Sequence, residues 1–175
     1  MKIDVTPIIK DHLNTLRDHR TGKRSLFDFA LFFVAPLASI GVPIYFKMNF
    51  DTNFYNLSIT FFGIFIALLL NVQVAIFGIF QRKWEKPEDE HLASIQAEKL
   101  KERRALLGEL NANLSYLVLF SCISLVAFLA FYVLKIDEKI PSCATFAIYT
   151  HFVLTLFMSV KRAHVLFQME YDGNN

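Results

Sequence analysis

Long uninterrupted apolar runs dominate the chain, where a strand would alternate and a surface helix would show a single stripe. Four of them occupy residues 26–46, 57–80, 114–134 and 143–160. A helix that crosses a bilayer needs roughly 20 mostly apolar residues, because each adds about 1.5 Å against a hydrocarbon core of about 30 Å. All four runs are therefore predicted to be transmembrane helices. The last is the shortest and, taken alone, also fits a buried helix of a soluble protein. Four such runs in 175 residues leave too little polar sequence to cover them.

The polar segments between the runs have patterns of their own. Thr6 and Pro7 are expected at the N-cap and first position of a helix, with Ile8, Ile9, Leu13 and Leu16 at helical spacing and Asp11, Arg17 and Arg20 opposite. Such an amphipathic helix either lies in the headgroup region, its cations near anionic lipid, or covers the inner end of the spans. After Pro87, residues 88–113 place Leu92, Ile95, Lys99, Leu106, Leu110 and Leu114 near one helical face, and Glu98 and Glu102 within reach of cations three or four residues away. Nothing there stops a helix, so residues 88–134 are predicted to form one rod of about 70 Å. Its exposed part is either a docking surface or a solvated connector. Residues 163–171 are again helical and partly apolar in pattern.

Charge orients these elements. Fifteen of the 18 Lys and Arg residues fall in the segments 1–25, 81–113 and 161–175, leaving only Lys47, Lys135 and Lys139 for the other side. By the excess of cations on cytoplasmic loops, both termini are predicted inside. The expected organisation is a cytoplasmic N-terminal helix (1–25), a four-span domain with its stalk at 88–113 (26–160), and a cytoplasmic tail (161–175). The expected class is all-α, an integral membrane four-helix bundle of the bacterial inner membrane. The outer loops, near 47–56 and 135–142, are too short to build a ligand-binding domain. Because residues 1–24 are mostly polar and the first run is long, that run is expected to remain as an anchor and not to be cleaved.

Composition supports this and narrows the chemistry. Over half of the residues are apolar, with 19 Phe against six Gly and five Pro, more apolar surface than a compact globule of this size hides. A net charge of +2 is too small for nucleic-acid binding through a general basic field. No P-loop, nucleophile elbow, HExxH or metal-spaced Cys/His cluster is present, so neither catalysis nor a cofactor is expected. Cys122 lies deep in the third span and Cys143 at the outer end of the fourth, too far apart for an intrachain disulfide. An intersubunit link at Cys143 is the alternative to simple packing.

Inside the spans, small and polar residues recur at helical spacing. Thr60, Gly63, Ala67, Asn71, Ala75 and Gly78 form one face of the second span, suited to close helix packing or to lining a pore. Gln73 stands about 200° from Asn71, so the two amides need protein on two sides. Four helices supply that poorly and an oligomer easily, which predicts self-association, a tetramer being one closed arrangement. In the fourth span Cys143, Ala147, His151, Thr155 and Ser159 repeat every four residues. His151 is either hydrogen-bonded to a neighbouring helix or a proton-sensing or gating group. Asp28 is spaced to pair with Arg24 at the boundary. No span carries a buried pair of opposite charges, which weakens any case for a coupled ion transporter. Arg17, Arg20, Lys23, Arg24, Lys99, Lys101, Arg103 and Arg104 are the expected surface for a cytosolic protein partner or anionic lipid.

Three segments, NVQVAIFGIFQRK (71–83), KLKERRALLGELNANLSY (99–116) and MSVKRAHVLFQMEY (158–171), together with the four-span plan, resemble the small membrane proteins of bacterial anti-phage defence systems, Kiwa membrane subunits among them. None of the segments is a catalytic signature. The resemblance implies an oligomeric inner-membrane protein that detects a disturbance of the envelope and works with a cytosolic partner. The other role it implies is an effector that breaches the membrane. A plain accessory or assembly subunit is a third reading of the same features.

Overall fold

The computed structural model describes residues 4–16, 26–81, 90–134 and 139–172, and every regular element among them is a helix. They are α1 (Thr6–Asn14), α2 (Leu26–Ser39), α3 (Gly41–Phe46), α4 (Thr52–Phe80), α5 (Glu90–Leu134) and α6 (Lys139–Asp172). Four stretches within α2 to α6 are long and apolar enough to cross a membrane. Only 17–22% of each is buried within the chain, so most of their apolar surface is left for lipid. This is the architecture of a multi-pass membrane protein.

The first span is not one helix but two. A break at Ile40 separates α2 from α3, and two prolines explain it. Pro36 and Pro43 have no N–H to donate to the carbonyls of Phe32 and Ser39, four residues before each. Locally the chain tightens instead: the Ser39 hydroxyl donates to the Pro36 carbonyl at 2.7 Å, and Ile40 N–H bonds back only three residues, to Leu37. α3 then ends in Lys47, whose φ of 51° is left-handed. Between α3 and α6 a cleft of about 380 Å³ opens, bordered by Lys47, Lys139 and Cys143.

The other spans run further than their apolar runs. α4 starts five residues before the apolar run, at Thr52, because Asp51 caps it: its carboxylate accepts from Phe54 N–H at 2.9 Å. α5 is unbroken over its 45 residues, about 68 Å, as expected for the stalk and third span; residues 88 and 89 lie outside the described residues. α6 joins the fourth span and the tail into a single helix of 34 residues. At the N-terminus the expected cap shifts by one: Thr6 is itself helical, and the Asp4 carboxylate accepts its N–H at 3.0 Å.

Backbone neighbours run in series, α4 on α5, α5 on α6 and α6 on α2, with α1 against α5 and α3 against α6. Aromatic rings bridge α4 and α6 across this series. Phe62 of α4 lies 5.6 Å from Phe128 of α5 and 5.2 Å from Phe152 of α6 by ring centroids, and all three are fully buried. Such pairs contribute about 0.5–1.5 kcal/mol each beyond the area they bury. The part of α5 just before the third apolar run is core too: Leu107 and Leu110 are buried in the same cluster.

Candidate functional site

The densest set of buried polar groups sits where α1 docks, and its construction begins with Pro36. Because Pro36 leaves the Phe32 carbonyl without a helical donor, that oxygen needs a partner in an apolar setting. His151 supplies it from α6: Nδ1 lies 3.2 Å from Phe32 O. A carbonyl only accepts, so Nδ1 carries the proton and Nε2 accepts from the Tyr116 hydroxyl of α5 at 2.8 Å. His151 thus ties α2, α5 and α6 together, the neighbouring-helix reading of this residue.

Tyr116 passes the contact outward to α1. Its ring stacks on His12 at a centroid distance of 3.9 Å with the planes 2° apart, and the edge of Phe32 meets the same imidazole. His12 is 2% exposed. Its Nδ1 donates to Asn113 Oδ1 at 2.9 Å. Thr15 donates to the His12 carbonyl at 2.7 Å, with Asn113 Oδ1 a second acceptor at 2.9 Å. Burial, opposed by the Asn113 hydrogen bond and reinforced by electrostatic coupling to His151 and to the Arg162 guanidinium, pushes His12 down to about 4. At neutral pH this imidazole is uncharged.

Arg162, on the part of α6 beyond the apolar run, closes the site. It donates to the Thr15 carbonyl at 2.6 Å and pairs with Glu109 of α5 at 3.0 Å. One guanidinium therefore holds the C-terminal end of α1 onto both long helices. The signal for this site was present in the sequence, since His12 and Thr15 fall on the same helical stripe as Ile8 and Leu16, where an apolar residue would be expected.

The small and polar row of α4 lies elsewhere and, Gly63 apart, faces away from the packed core of the described residues. Tyr55, Ser58, Phe62, Leu69 and Ile76 form the buried face of α4. Thr60, Ala67, Asn71, Ala75 and Gly78 are exposed on the opposite side, and Gly63 is half-buried near Leu125. The two amides do part company as their spacing requires. Gln73 donates to the Ser115 hydroxyl of α5 at 2.8 Å, whereas the Asn71 side chain has no hydrogen-bond partner among the described residues.

The fourth-span row behaves differently. Thr155 and Ser159 are buried, and each donates to the carbonyl four residues earlier, Thr155 to His151 O at 2.9 Å and Ser159 to Thr155 O at 3.0 Å. Hydroxyls satisfied in this way can be buried against a neighbouring helix without a partner on it. Cys122 and Cys143 are both free.

Of the expected partner surface, Lys99, Lys101 and Arg104 are exposed on α5. Arg103 is a correction: it is 6% exposed, and its guanidinium donates to Ile79 O at 3.4 Å, a carbonyl in the last turn of α4. Arg17, Arg20, Lys23 and Arg24 lie outside the described residues, and with them the proposed Arg24–Asp28 pair.

Among the described residues no group of His, Cys, Asp and Glu side chains could hold a metal ion. No protein-family model, no curated protein and no solved structure matches the chain.

Proposed function

We propose that this protein is an inner-membrane anchor or sensor subunit with both termini in the cytoplasm, that it works as a homo-oligomer with a cytosolic partner, and that it belongs to an anti-phage defence complex. The observation that supports it best is the outward row on α4. Asn71 lies near the middle of that helix's apolar run, directly away from the chain's own core and without a side-chain partner among the described residues. A carboxamide facing hydrocarbon is costly, and small residues on either side permit close backbone approach, so a second copy is the natural cover. The exposed cations Lys99, Lys101 and Arg104 are then repeated around the oligomer for a partner or for anionic lipid.

Nanodisc reconstitution followed by mass measurement, and purification with proteins encoded beside it, test the reading. A monomer that captures none of those proteins at moderate salt overturns it. The competing effector reading draws on the same α4 row, whose Thr60, Ala67, Asn71, Ala75 and Gly78 lie exposed. Membrane depolarisation on expression, lost on replacing Asn71, would favour that reading.

A further inference from the structure

We propose that α1 is a detachable latch on the end of the membrane domain, held shut by an uncharged His12 and opened when that imidazole takes up a proton. This does not depend on whether the chain oligomerises. The geometry sets the switch. A nine-residue helix is too short to persist alone in water, so its docked form rests on its tertiary contacts. Those contacts converge on one face: His12, Thr15 and Leu16 are 2%, 7% and 3% exposed, whereas Val5 and Ile9 stay about 40% exposed.

The surroundings of His12, taken together, disfavour its cation. From α5 it meets the Asn113 carbonyl, already used by Nδ1–H, and the Tyr116 ring; from α2 it meets the Phe32 edge. From α6 it faces His151 and the Arg162 guanidinium. Glu109 is committed to Arg162, and Asp11, the acid next to it on α1, is exposed. A second ring proton would thus enter a buried position beside a fixed positive charge. Stacking on Tyr116 attracts an imidazolium, yet burial dominates and the net direction is downward.

The sign follows from linkage. Docked, His12 titrates near 4, against 6.5 for a free imidazole. Docking is therefore fully favoured above about pH 6.5 and weakens as pH falls below it, by about tenfold between pH 7.5 and 5.5. Opening would free the α5 surface around Asn113 and Tyr116, and with it the α1 stripe of Ile8, Leu13 and Leu16, for lipid or a partner. It would also strip one layer from the His151–Phe32 contact beneath.

Hydrogen–deuterium exchange of the full chain in nanodiscs, corrected for intrinsic exchange, tests this. Protection of residues 6–14 should drop about tenfold from pH 7.5 to 5.5, while α4 protection holds, and His12→Phe, which keeps the stack, should abolish the drop. Imidazole ¹³C titration of the wild type gives a readout independent of any variant: His12 should stay uncharged down to pH 5. A His12 that titrates above 6, protection that does not change with pH, or the same loss in His12→Phe overturns the proposal.

Discussion

His151 Nδ1 lies 3.2 Å from the carbonyl oxygen of Phe32, the acceptor that Pro36 leaves without a partner in its own helix. Proline thus creates a polar vacancy in the first span, and a histidine from the fourth fills it. Removing His151 should leave Phe32 O and the partly buried Tyr116 hydroxyl unmatched, at about 1–3 kcal/mol for each group that finds no water. His151→Phe is expected to lower stability by that amount in detergent unfolding. Pro36→Ala restores the missing N–H, so the same substitution in that background should cost clearly less.

Gln73 and Ser115 form a second interhelical bond, at 2.8 Å between α4 and α5. Such bonds between membrane helices contribute about 0.6 kcal/mol on average and up to about 1.7. Gln73→Leu and Ser115→Ala should each destabilise by about that amount, and the double variant by less than the sum, as a double-mutant cycle of unfolding free energies would show.

Arg162 reaches Thr15 O and Glu109 together, so Arg162→Ala breaks both ties at once. The expected result is increased protease sensitivity of α1 at neutral pH. Arg162→Lys keeps the charge but not the forked geometry, and should recover only part of the protection.

Asn71 on the outward row should strengthen self-association. Asn71→Leu is expected to weaken it about three- to twentyfold, from the same range of interhelical hydrogen-bond energies. Ala67→Leu, which adds bulk where backbones would approach, should weaken it at least as much, as measured by energy transfer between labelled copies at varied lipid dilution.

Length and apolarity made the four spans legible, and the helical pattern of residues 88–113, with no stop signal in it, made the unbroken α5 legible. The opposed faces of Asn71 and Gln73 were legible from the helical period. Other features needed contacts that no local pattern carries. Periodicity passes straight through Pro36 and Pro43, because membrane helices tolerate proline when a neighbour re-satisfies the freed carbonyl. That neighbour is His151, more than 100 residues away. Arg103 looked like a surface cation because nothing in its own segment shows that α4 ends beside it. His12 and Thr15 interrupted an amphipathic stripe that suited a headgroup helix and a cover on the spans alike, and neither pattern names Asn113 and Tyr116 as the dock.

The claim on which the functional reading rests is that the α4 row meets a second copy, and cysteine cross-linking in native membranes tests it most directly. With Cys122 and Cys143 replaced by Ser, single cysteines at Ala67, Asn71 and Ala75 should give oxidation-induced dimers, while cysteines at Val72 and Phe77, on the flanks of α4, should not. Dimers at the flanking positions only, or at none, would contradict it.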